Sequence, residues 1–89
     1  MNNTIEFKDL PIEVKEDFKE RTEYLKQFDF KIIKVVKEDI LDNYFNYTIY
    51  GITDGAVHLF VYKFLNNNLN EIIEDSMCKS GVRFFLEFI

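Results

Sequence analysis

Eighty-nine residues with 47% hydrophobic, 30% charged and 17% aromatic content, one proline and three glycines predict a single small globular domain over 1–89. The length excludes a repeat array and a two-domain enzyme and the composition a disordered tail, while one cysteine excludes a disulfide framework within the chain and, beside one histidine, argues against a Cys/His zinc cluster. The net charge of −5 comes from the stretch 38–75, where Glu38, Asp39, Asp42, Asp54, Glu71, Glu74 and Asp75 stand against Lys63 alone, so the clustered Lys and Arg that nucleic-acid binding requires are missing.

Thr4 to Lys8 alternates in polarity and reads as a short edge strand. Pro11 then opens an amphipathic helix over 11–27, with Val14, Phe18, Leu25 and Phe28 on one face and Leu10 placed as a staple. Phe30 to Lys37 is β-branched and reads as a strand, although its apolar spacing also fits a helix face. Asp54-Gly55 between two apolar runs signals a type I′ hairpin, a turn that needs positive φ at both positions. With the turn there, Ile49 pairs with Phe60, Tyr47 with Tyr62 and Phe45 with Phe64. One face of the hairpin carries Phe45, Tyr47, Ile49, Phe60 and Tyr62; the other carries Asn46, Thr48, Tyr50, Leu59, Val61 and Lys63.

Asn68 followed by Glu71 resembles a helix cap, Leu69, Ile72, Ile73 and Met77 form a stripe, and Gly81 supplies a stop, which together predict a second helix. Val82 to Ile89 reads as a closing strand, too apolar to lie at an open sheet edge. The expected fold is α+β, a mostly antiparallel sheet of four to five strands with two helices in the order (β)-α-β-β-β-α-β. It exceeds the ferredoxin-like order by one strand.

Alternating these elements up and down gathers acids at one pole: the start of the first helix, a loop holding Glu38, Asp39 and Asp42, and the start of the second helix with Glu71 and Glu74. Acids at helix N-termini also complement the helix dipole and acidic loops are ordinarily solvated, so solvation alone accounts for them more readily than a recognition surface does. Tyr50, on the second hairpin face, is the candidate apolar anchor beside them.

Catalytic constellations are hard to assemble. His58 is the only imidazole, and its place after the turn fits a packed or surface histidine better than a catalytic base. Cys78 fits a small buried hydrophobe, and the carboxylates at 38–42 lack the glycine of a calcium loop. No glycine-rich phosphate loop is present, and no cofactor or metal is expected. The hairpin aromatics lack the interleaved Lys and Arg of a base-stacking surface. The N-terminus has no basic segment followed by an apolar stretch, and no apolar run approaches the length of a membrane span, which points to the cytoplasm. Residue usage, rich in Ile, Phe, Lys, Asn and Tyr and poor in Ala, Gly, Pro and Arg, associates the chain with an AT-rich genome.

In size, acidity and composition the chain resembles the small acidic α+β proteins with which phages and plasmids block host nucleases or defence complexes; no motif accompanies the likeness and no residue is carried across. The expectation is a non-enzymatic inhibitor or adaptor that acts as a nucleic-acid mimic. Glu38, Asp39, Asp42, Tyr50, Glu71 and Glu74 would meet a basic surface on a host protein. The alternative is a small homodimeric ligand-binding or enzyme domain. There the Tyr50, Leu59 and Val61 face or the terminal strand would be buried between chains, with His58 lining a pocket.

Overall fold

The structure is a computed structural model and describes residues 2–78. Strands β1 (Asn2–Ile5), β2 (Lys31–Leu41), β3 (Tyr44–Ile52), β4 (Ala56–Leu65) and β5 (Asn68–Cys78) form one antiparallel sheet in sequential order. Helix α1 (Ile12–Arg21) and two 3-10 segments, Phe7–Asp9 and Glu23–Phe28, connect β1 to β2. The fold is α+β and mostly sheet, and no described helix is long and apolar enough to cross a membrane. The closing strand expected over 82–89, the stop at Gly81 and the side chain of Cys78 lie outside the described residues.

The β3–β4 hairpin adopts the register that its sequence implies, with Phe45 opposite Phe64, Tyr47 opposite Tyr62 and Ile49 opposite Phe60. Its turn differs from expectation. Neither Asp54 nor Gly55 has a positive φ, and a bond from the Thr53 amide to the Ala56 carbonyl, at 2.9 Å, closes the loop instead of a type I′ turn. The doubly positive turn lies further on, at Asn66 and Asn67, with φ of 53° and 65°. Asparagine tolerates that region because its short amide bonds to nearby backbone.

The Asn66-Asn67 turn sends the chain straight back along β4. Residues 68–78 accordingly form β5, paired with β4 along its length, and not the second helix expected there. The register shifts once, between Lys63 and Phe64, so Asn70 is an extra residue in β5. The bulge puts Leu69 and Ile72 on the same face although they stand three apart, the spacing that mimics a helical stripe.

Three shorter corrections concern boundaries. β1 covers Asn2–Ile5, and Phe7–Asp9 is a 3-10 turn, so the first strand stops short of Lys8. The Pro11 carbonyl accepts the first helical bonds, from Val14 and Lys15, which makes Pro11 the cap. α1 ends at Arg21 because Thr22 turns its hydroxyl onto the Phe18 carbonyl at 2.6 Å, where its own amide also bonds. A threonine bound back in this way competes with helical continuation, and the chain tightens to 3-10 geometry until Asp29, at φ 57°, reverses it. Finally, β2 runs on to Leu41, so Glu38 and Asp39 sit on a strand and only Asp42 occupies the loop.

One face of the sheet meets α1. Leu10, Val14, Phe18 and Leu25 pack against Val35, Ile49, Phe60, Tyr62 and Phe64, all buried. The Phe18 ring stands edge-on to Phe60 at 5.1 Å and tilts against Phe7 and Phe30. Gly51 completes this layer by having no side chain: a Cβ there would collide with the Phe30 ring, which packs against the core cluster at this point.

Candidate functional site

Because β2–β5 form an unbroken meander, the β2–β3 and β4–β5 turns lie at the same end of the sheet. A backbone bond from the Asn66 amide to the Asn43 carbonyl, at 2.8 Å, ties the two turns together. This end collects Glu38 and Asp39 from the last residues of β2, Asp42 from the turn, and Glu71 from the start of β5. Four of the five acids singled out from sequence are therefore brought to one end of the sheet. Glu71 arrives there as a strand residue, since a strand and a helix leaving that end begin in the same place.

Lysines temper the charge locally. Lys37 reaches Asp39 at 3.9 Å and lies over the Phe45 ring at 4.7 Å, and Lys63 reaches Glu71 at 3.7 Å. The acids of these pairs are about half-exposed and the separations long, so each pair contributes at most about 1 kcal/mol. Glu38 forms no ion pair with a described residue. The register puts Tyr50 on the same, second face but further along β3, opposite Lys34 and away from the two turns; burial, and after it the Glu38 charge, pushes its hydroxyl above the ordinary pKa.

Apolar side chains that sequence reasoning passed over accompany the acids. Leu41 is 72% exposed, and Ile40 and Leu65 are also exposed beside the two turns. Asp39, Ile40, Leu41 and Asp42 line an open hollow of about 450 Å³. The signal was present as Leu-Asp-Asn and Leu-Asn-Asn, each an apolar residue immediately before a two-residue turn. An exposed apolar residue ringed by charge is the ordinary make-up of a protein-binding surface.

Glu74 is placed elsewhere. It lies at mid-strand on the helix-covered face, where one carboxylate oxygen accepts from Tyr24 Oη at 3.0 Å and the other faces Arg21 Nη1 at 3.4 Å. Arg21 also donates to both oxygens of Asp17, at 2.9 and 3.2 Å, and Asp17 accepts the hydroxyl of fully buried Tyr62 at 2.7 Å. The bonds from Arg21 hold the Asp17 carboxyl below its usual range against the opposing effect of burial, while burial and the Asp17 bond push Tyr62 up. Each of these polar side chains has a partner within the network, which docks α1 onto β4 and β5.

His58 is buried on the same face, with Nε2 3.0 Å from the Thr53 hydroxyl and its ring against Phe30. Burial lowers its pKa, partly opposed by the Glu74 charge. It borders a hollow of about 400 Å³ with Tyr24, Leu25, Glu74, Asp75 and Ser76. Among the described residues no group of three or more His, Cys, Asp or Glu side chains is arranged to hold a metal ion.

No family model, curated protein or solved structure matches the chain.

Proposed function

We propose that this chain is a non-enzymatic protein-binding inhibitor or adaptor of a phage or mobile element from an AT-rich bacterium, working in the cytoplasm. Its acidic end lies on a basic surface of a host protein that normally handles nucleic acid. The observation that carries the reading is the union of the two turns: Glu38, Asp39, Asp42 and Glu71 share one end of the sheet with exposed Leu41 and Leu65, on a backbone unit tied by the Asn66–Asn43 bond. Acids of this kind steer and orient a basic partner, and an apolar centre supplies the desolvated contact that holds it. The deficit of Lys and Arg beyond residue 38 keeps the chain itself off nucleic acid.

The test is capture from a lysate of a low-GC bacterium, with the double variant Asp39→Lys, Asp42→Lys run beside the parent. We expect the parent to retain a nucleic-acid-binding protein in stoichiometric amount and to release it to high salt and to competing DNA or RNA, while the variant retains none. Equal retention by parent and variant overturns the reading. So does retention that is indifferent to salt, because contacts between exposed charges are screened within about 10 Å at 0.1 M.

A further inference from the structure

Among the described residues, one buried polar atom near the acidic end has no hydrogen-bond partner. Asn46, near the start of β3, is only 8% exposed, and its side-chain Oδ1 is buried with no hydrogen-bond donor among the described residues. A buried acceptor in that state costs about 1–3 kcal/mol, and folded proteins carry few of them.

The register says what surrounds it. Asn46 stands directly opposite Glu38 on β2 and Lys63 on β4, and Lys63 stands opposite Glu71 on β5. All four share the sheet face turned away from α1. Residues directly opposed in an antiparallel pair have Cβ atoms about 4.5–5.5 Å apart, so one small group reaches both the Glu38 carboxylate and the Asn46 amide. Lys63 is directed to Glu71 at 3.7 Å and makes no bond to Asn46. Among the described residues the row thus holds one compensated pair, Lys63 and Glu71, and one pair of acceptors without a cation or donor, Glu38 and Asn46.

We infer that Glu38 and Asn46 form a guanidinium site, which takes an arginine side chain of the protein partner. The carboxylate accepts two N–H groups of the planar fork and Asn46 Oδ1 accepts a third. A guanidinium offers five donors in fixed directions, whereas an ammonium is a compact, strongly hydrated charge less suited to two acceptors on neighbouring strands. This inference rests on the acidic-end reading above and narrows it to one side chain of the partner.

The test is a titration of the 15N-labelled full chain with a capped peptide of alternating arginine and glycine, and with its lysine counterpart of equal charge. We expect the Asn46 side-chain NH2 signals and the Glu38 and Asn46 backbone amides to shift with the arginine peptide, and the lysine peptide to bind several-fold more weakly. Glu38→Gln should weaken arginine binding about tenfold, the loss of one charge-assisted bond. Asn46→Leu should abolish the preference for arginine while raising the melting temperature, since it removes an unserved buried oxygen. Asn46 signals that do not move overturn the inference, as does a lower melting temperature for Asn46→Leu, which would mean that water already serves the amide. Shifts confined to Leu41 and Asp42 remove the guanidinium site and leave the acidic-end reading standing. No shift with either peptide counts against both.

Discussion

The two hairpins that share β4 reach similar strand pairing by opposite means. The β3–β4 hairpin has no positive φ in its turn and pairs without a break from Tyr44 to Ile52, held by Ile49, Phe60 and Tyr62 in the core. The β4–β5 hairpin has a turn with both central residues at positive φ and a bulge at Asn70, and its outer strand carries Glu71, Glu74 and Asp75. Packing fixes the first and turn chemistry starts the second. Where a strand is buried on one face, sliding it by a residue would expose the whole apolar set, so the loop accommodates to the register. At the outer strand the penalty for slipping is smaller, and a turn with a strong conformational preference takes over.

The sharpest way to break this contrast is Phe60→Ala. It removes the ring against which Phe18 and Phe30 pack, and we expect a loss of about 3–5 kcal/mol, read as a lower denaturant midpoint at unchanged slope. Tyr62→Phe comes next, at about 1–1.5 kcal/mol, because it unpairs Asp17 from its hydroxyl while keeping the ring.

Its pH signature separates the network from packing. Asp17 is held below 3.8 in the folded chain, so the unfolded chain binds more protons in acid; this stability is present above pH 3.8 and lost as pH falls through the folded value. Tyr62 is raised above 10, so its contribution is present below pH 10 and lost as pH rises beyond it. Melting temperature against pH should therefore flatten on the alkaline side in Tyr62→Phe and on the acid side in Asp17→Asn.

Asn67→Gly sharpens the comparison at the turn. Glycine enters positive φ without strain, and we expect a gain of about 0.5–1 kcal/mol by thermal melting, an effect that a glycine at Asp54 should not match. The smallest effect belongs to deletion of Asn70. Leu69 stays opposite Phe64 and Ile72 opposite Tyr62, so stability should change by no more than about 0.5 kcal/mol. A collapse of the fold on that deletion would mean that the bulge, and not the turn, sets the position of β5.

Legibility in the sequence divides along the same line. Phe45, Tyr47, Ile49, Phe60 and Tyr62 alternate without interruption, and alternation beside a two-residue gap fixes both register and inward face. Residues 68–78 misled because a bulge converts a period of two into an apparent period of three to four, while Asn68 and Glu71 satisfy capping chemistry as readily as strand chemistry. The end of α1 was hidden for a different reason: the Thr22 hydroxyl has a partner four residues back only once the turn is formed. At the candidate site, the grouping of Glu38, Asp39, Asp42 and Glu71 comes from strand direction alone. Glu74 does not share it, since its place beside Arg21 and Tyr24 depends on β5 being extended. Asn46 carries no sequence mark at all, because an orphaned oxygen is a property of packing.

The bond from the Asn66 amide to the Asn43 carbonyl has a consequence for loop entropy. Two loop tips that would fluctuate separately are joined into one ordered unit when the sheet forms. Ordering side chains and loops at an interface typically costs a binding protein about 0.5–1.5 kcal/mol per immobilised rotamer-rich side chain, and the backbone share of that loss is here already incurred in folding. Slow exchange of the Asn66 amide with deuterium, at a position where loop amides ordinarily exchange at once, would be the direct sign of it.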